Sequence, residues 1–221
     1  MNLAGRFIVF EGPDGTGKTT LARLYADEAR AAGERVTAVS FPGNEVGTLG
    51  HHVYQLHHDL QRFGIREVTS ASLQALHIAA HLDAIERSIL PALERGDTLV
   101  LDRYWWSTWV YGTEAGVNAA TLDAMIASEC AHWGAVLPDV MVLVTRQDSL
   151  RPQDSGPAWR RRSALYESLA EREAASYPVR VVSNDGTEER AFENVMKAVS
   201  NAMRTPQSRI KVGPDNQNMS S

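Results

Sequence analysis

The stretch "FEGPDGTGKTT", Phe10 to Thr20, constrains this chain more than any other. Gly12-Pro13-Asp14-Gly15-Thr16-Gly17-Lys18-Thr19 matches the pattern G-x-x-x-x-G-K-[ST] in full, and Thr20 extends it. Its glycines let successive N–H groups turn inward around phosphate oxygens, and the helix that follows adds its positive N-terminal end. Lys18 is placed to reach β- and γ-phosphates, and the Thr19 hydroxyl to ligate Mg²⁺. Such a loop requires a strand before it and a helix after it. The apolar run "RFIVF" from Arg6 and the pattern from Lys18 to about Ala32 supply both. A glycine-rich turn without a ligand is the alternative. The loop also carries an acid, Asp14, where an anion must sit.

Apolar β-branched runs alternate with helical patterns along the rest of the chain, the signature of parallel βαβ units. Strands are predicted at Arg6–Phe10, Arg35–Phe41, Thr98–Asp102, Asp139–Val144 and Val179–Ser183. Helices are predicted over about Ser70–Arg95, Asn118–Trp133, from about Arg160, and over Thr187–Arg204. The expected fold class is α/β: a P-loop three-layer α/β/α domain on a five-stranded parallel sheet. A length of 221 residues fits one such domain, taken as 1–204, with 205–221 read as a flexible polar tail.

Composition narrows the function. A formal charge of -5 argues against a nucleic-acid surface. One cysteine, Cys130, excludes an internal disulfide and fits a reducing compartment. No apolar run approaches a membrane span, and the N-terminus does not read as a signal peptide, so a cytoplasmic protein is expected. A GTPase would need an N-K-x-D motif after a later strand, and none is present.

"LVLDRYWWSTWVYG" carries the second set of chemistry. Its strand delivers Asp102 at the end where open α/β sheets bind ligands, and a carboxylate there can hold Mg²⁺ through water. Arg103 beside it can clamp a phosphate with two parallel hydrogen bonds. A helix-start ion pair with packed tryptophans is the alternative.

At these residues the chain resembles the thymidylate kinase family. "FIVFEGPDGTGKTT" is similar to that family's P-loop, including Glu11 before it and the aspartate inside it. "FPG" at Phe41–Gly43, "DRYWWSTWVYG", "PDVMVLV" and "NDGTEE" at Asn184–Glu189 resemble further family segments. The resemblance implies a nucleoside-monophosphate-kinase fold with a helical lid at about 146–162, ATP as phosphoryl donor, Mg²⁺ as cofactor, and a small nucleotide acceptor. It implies that Asp14 binds the acceptor 3′-hydroxyl, Arg103 the acceptor phosphate, and that Asp102 and Glu11 lie near the metal with Thr19. Phe41 and Pro42 belong to the acceptor side, Ser107 and Thr108 face the base, and Tyr111 crowds C2′. Family members are commonly dimers, so the resemblance also implies a homodimer.

Two departures stand out. The helix "LHIAAHLDAIERSILPALERG" carries His77 and His81 where the family has a stacking phenylalanine and a base-reading arginine. They read as base-site residues, as core-facing histidines, or as a metal pair. As base-site residues they make selectivity change between about pH 5.5 and 8 if their pKa values are ordinary. In addition, Asn44 follows "FPG" where members often have an arginine, and His51, His52, His57 and His58 read as exposed helical histidines. Position 15 is glycine; members without a loop arginine draw it from the lid, which here offers Arg146, Arg151 and the triplet Arg160, Arg161, Arg162.

The expected activity is ATP-dependent phosphorylation of a deoxynucleoside monophosphate, most simply dTMP to dTDP. One rival is a kinase for another or modified pyrimidine nucleotide or deoxynucleoside, for which Glu45 is the available base. Another is a non-catalytic nucleotide-binding regulatory module. A polynucleotide kinase is least favoured.

Overall fold

The computed structural model describes residues 4–204. The tail expected at 205–221 lies outside them. Five parallel strands, β1 (Arg6–Glu11), β2 (Val36–Ser40), β3 (Thr98–Asp102), β4 (Val140–Thr145) and β5 (Val179–Ser183), form one sheet in the order β2-β3-β1-β4-β5. Successive side chains of a strand point to opposite faces, and here both faces are apolar. Phe7, Val9, Leu99, Leu101, Met141 and Leu143 enter one core, while Ile8, Phe10, Val100, Val142 and Val144 enter the other. Helices α1 (Lys18–Ala31) and α8 (Glu188–Arg204) cover the second face through Leu21, Tyr25, Val195 and Val199. The first is covered by α3 (Ser70–Ala84), α5 (Trp105–Glu114), α6 (Ala119–Trp133) and α7 (Pro157–Glu173). That gives the three layers expected.

The long helix expected from Ser70 to Arg95 is interrupted. After α3 the chain widens into a π-helical turn, Ile85–Ile89, and resumes as α4 (Leu90–Glu94). Pro91 is the physical cause, because it donates no N–H and its ring crowds the carbonyl four residues earlier. Helix α5 was not assigned from the sequence, while α2 (Leu49–His58) carries the four histidines read as helical. Helix α2 lies against the turn after β2: a Cβ at Gly50 would stand 1.9 Å from the Pro42 carbonyl oxygen, so only glycine permits that approach.

Candidate active site at the P-loop

The loop between β1 and α1 sits at the C-terminal edge of the sheet, where β3 delivers Asp102 from the adjacent strand. Gly12 has φ 142, and a Cβ there would lie 2.3 Å from the Val144 carbonyl oxygen. The loop is tied internally by Thr16 Oγ1, which donates to the Pro13 carbonyl at 2.9 Å. Asn184, buried just past β5, donates from Nδ2 to the Thr16 carbonyl at 2.8 Å. Gly17 precedes α1, Thr20 is half-buried in its first turn, and the Gly15 carbonyl accepts from Leu150 N at 2.8 Å. Beside Asn184 lies a cavity of about 400 Å³ lined by Ser183, Asp185, Gly186, Arg190, Ala191 and Asn194.

Lys18 is buried at the start of α1, with Nζ 3.5 Å from Asp14 Oδ1. Burial, reinforced by the positive Arg103, pushes its pKa below the ordinary lysine value. Thr19 Oγ1 donates to Asp102 Oδ2 at 2.6 Å, while Asp102 Oδ1 is buried with no hydrogen-bond partner among the described residues. A hydroxyl beside a buried carboxylate oxygen with spare acceptor capacity is a donor set that suits Mg²⁺, an oxygen-seeking cation.

The central arrangement is built around Asp14. Arg103 Nη2 donates to Asp14 Oδ1, and Tyr111 OH donates to Asp14 Oδ2 at 2.7 Å. Burial pushes the Asp14 carboxyl up, but Arg103, Lys18 and the Tyr111 hydroxyl outweigh it and hold it well below the usual carboxylate range. Tyr111 is raised to about 12, chiefly by burial, so its hydroxyl stays protonated and donates. The acid inside the loop is thus a charge already compensated, by Arg103, Lys18 and the Tyr111 hydroxyl.

Arg103 is the one non-glycine residue with positive φ, 75°, among those described. L side chains rarely adopt that conformation, and it turns the guanidinium back over the loop. Nη1 donates to Ser107 Oγ at 2.9 Å. Ser107 Oγ also donates to Glu11 Oε2 and stands 2.8 Å from Tyr166 OH. A hydroxyl has one donor and two acceptor positions, so Ser107 is fully occupied. It positions Arg103, and its hydroxyl is spent on protein partners.

Glu11 also differs from the metal role implied by the resemblance. Its Oε1 accepts from Tyr104 N at 2.7 Å and Ser107 N at 3.0 Å, so it caps the N-terminus of α5, which has no cap of its own. Burial pushes its pKa up against Arg103 and these donors.

The two departing histidines separate. His81 is buried, stacks on Phe41 with ring centroids 4.0 Å apart, and its Nδ1 lies 2.8 Å from Glu129 Oε2. Phe41, on which it stacks, belongs to the core with Trp133. His77 turns to α2, where its Nε2 lies 3.0 Å from His57 Nδ1. His57, read as merely exposed, is therefore a neighbour of the site. Among the described residues no group of three or more His, Cys, Asp or Glu is arranged to hold a metal ion.

His77 is pushed down to about 3, first by burial and then by His81, His57 and Arg103. The selectivity change expected between pH 5.5 and 8 therefore cannot come from His77. Its titration enters stability instead. Below about 6.5, the ordinary imidazole value, the unfolded chain binds a proton that folded His77 refuses. Stability rises with pH between about 3 and 6.5 and is full above that window, and His57, also lowered, adds in the same direction. The melting temperature should accordingly fall between pH 7.5 and 5, and less steeply in His77→Leu. An unchanged slope in that variant would contradict the assignment.

The lid segment closes on the loop. Trp159 Nε1 donates to the Asp14 carbonyl at 2.7 Å, a contact not anticipated although it directly precedes the arginine triplet. Arg160 and Arg161 are exposed. Arg162 turns inward, donating to Glu114 Oε2 at 2.5 Å with its guanidinium 5.4 Å from the Tyr111 ring centroid. Arg146 donates to the Asn184 carbonyl, and Arg151 pairs at 3.9 Å with Asp154.

Residues 10–173 match the family model described as thymidylate kinase. The chain is similar to the thymidylate kinase of Gluconobacter oxydans, with 32% identity over 211 residues covering 90% of this chain and 96% of that protein. It is also similar to the thymidylate kinase of Ruegeria pomeroyi, with 35% identity over 145 residues, 65% of this chain and 64% of that protein. A solved thymidylate kinase from Ehrlichia chaffeensis shares the fold at TM-score 0.70 and 21% identity, covering 88% of this chain and 98% of that one.

Proposed function

The chain belongs to the thymidylate kinase family, and from that membership we propose that it transfers the γ-phosphoryl group of ATP to dTMP, giving dTDP and ADP. The observation that carries the reading is Arg103, turned back at φ 75 and held between Asp14 and Ser107 beside the buried Lys18. Two cations and one compensated acid meeting at a P-loop suit a phosphorylated sugar more than a phosphate alone.

In the reaction, a 5′-phosphate oxygen of dTMP bonds to the γ-phosphorus as the bond to the β,γ-bridging oxygen breaks. The protein supplies position and charge, with little covalent chemistry. Lys18 and the loop N–H groups hold the donor phosphates. Thr19 and Asp102 would hold Mg²⁺, which when bound neutralises charge on the donor phosphates. Arg103 clamps the acceptor phosphate bidentately, and Arg162 is the lid cation poised beside Tyr111. The cavity beside Asn184 suits the donor base. The same reading puts the enzyme in the cytoplasm with its ATP supply and makes it a homodimer, which sedimentation would test. No helix among the described residues is long and apolar enough to cross a membrane.

Asp14 and Tyr111 carry the sugar preference. Each Asp14 oxygen already accepts one hydrogen bond and keeps a further lone pair for the 3′-hydroxyl. Losing a hydrogen bond to a charged group should lower kcat/KM for a 3′-deoxy acceptor about 10- to 100-fold. The ribose counterpart should fall similarly, because Tyr111 crowds C2′. The comparison of dTMP with both analogues checks this, and equal kcat/KM for all three would remove both assignments.

A further inference from the structure

The buried side-chain oxygens without a hydrogen-bond partner among the described residues are Asp102 Oδ1, Thr108 Oγ1 and Gln74 Oε1. The first belongs with Thr19 at the metal-binding position. The other two stand on facing helices, Gln74 on α3 and Thr108 on α5, only 4% and 2% exposed. Gly112, one turn beyond Thr108 on the same face of α5, brings the helices together: a Cβ there would lie 3.4 Å from Gln74 Cγ. His77 is one turn beyond Gln74 on α3, and Tyr111 is three residues beyond Thr108 on α5. A carbonyl and a hydroxyl buried without partners destabilise the fold, so a ligand that satisfies them is the economical explanation for both.

Resting on the reading of the site as a nucleotide kinase, in which the resemblance already implies that Thr108 faces the base, we propose that Gln74 joins it in reading the hydrogen-bonding edge of the acceptor base. We propose further that the site takes a 4-amino pyrimidine nucleotide, the cytosine type, as well as the 4-oxo pyrimidine of dTMP. Among the described residues no cation reaches either oxygen. Lys18, Arg103 and Arg162 gather around Asp14 and Tyr111, at the phosphate and sugar end. His77, pushed down to about 3, adds a neutral imidazole. A guanidinium would offer donors alone and would refuse an amino group. An amide carries a carbonyl acceptor and two N–H donors, and a hydroxyl both donates and accepts. Turning the amide over and rotating the hydroxyl satisfies thymine, with O4 accepting and N3–H donating. The opposite setting satisfies cytosine, with its amino group donating and N3 accepting.

The test is kcat/KM for dTMP and dCMP, with calorimetric binding of each nucleotide alongside, in the wild type and in Gln74→Glu, Gln74→Leu and Thr108→Val. The wild type should favour one nucleotide over the other by no more than about 10-fold, since neither base leaves a buried group unpaired. A carboxylate accepts only, so Gln74→Glu should shift the ratio about 10-fold or more toward dCMP. Gln74→Leu and Thr108→Val should weaken both nucleotides alike, with the KM for ATP unchanged, and they serve if the glutamate variant fails to fold. Rejection of dCMP by about 100-fold or more, with a ratio that none of the variants moves, overturns the proposal. If no acceptor turns over, the kinase reading falls, while the binding affinities for dTMP and dCMP still decide how the base edge is read.

Discussion

Lys18→Ala is expected to lower kcat by about 10³-fold or more while leaving the melting temperature close to that of the parent. The lysine is buried in the first turn of α1 and, among the described residues, has one ion-pair partner, Asp14 at 3.5 Å. Asp14 keeps Arg103 and Tyr111 when the lysine is gone. The helix itself rests on Leu21, Tyr25 and Ala26, none of which touches the charge chemistry. The positive charge of Lys18 is held in a desolvated position, where burial and Arg103 lower its pKa and Asp102, Asp14 and Glu11 offset part of that cost. The phosphates of the donor are expected to supply the rest. Measuring kcat together with thermal unfolding separates the two roles: turnover within tenfold of the parent would remove the phosphate role, and a collapsed fold would make Lys18 structural.

The second large effect belongs to Arg103. Arg103→Ala should reduce kcat/KM for dTMP by about 10³-fold and leave the KM for ATP nearly unchanged, because truncating a buried charge pair typically costs 2–5 kcal/mol. The guanidinium is held on two sides, by Asp14 and by Ser107, so its direction is set before the acceptor arrives. Arg103→Lys should recover only a small part, since an ammonium cannot form two parallel hydrogen bonds to one phosphate. Substitution by glycine would relax the backbone at φ 75 and still lose the clamp, which separates backbone conformation from guanidinium chemistry. A shift confined to the KM for ATP would place Arg103 on the donor side instead.

The parts legible in the sequence are those with local causes. The five strands are apolar, largely β-branched runs, and the P-loop declares itself by its glycines and by Lys18. Helix α5 was not legible because its cap is not local. Glu11 reaches the Tyr104 N–H across 93 positions of sequence, and no neighbour announces a helix start. The break after α3 did have a visible signal in Pro91, which the apolar pattern on either side concealed. Within the site, Asp14, Arg103 and Tyr111 are brought together, but motif matching could not say that Ser107 would be fully occupied. Nor could it divide the histidines, since His81 is drawn inward by Glu129 and His77 outward toward His57, each from a different helix. The arginine triplet likewise needed three dimensions, because only Arg162 meets Glu114 and the Tyr111 ring.

The most direct test of the account is product analysis of a reaction containing this protein, ATP, Mg²⁺ and dTMP. The account predicts that dTDP and ADP appear in equal amounts, that no dTDP forms without ATP, and that thymidine lacking the 5′-phosphate is not a comparable acceptor. ATP consumed without dTDP, or thymidine phosphorylated faster than dTMP, would contradict it.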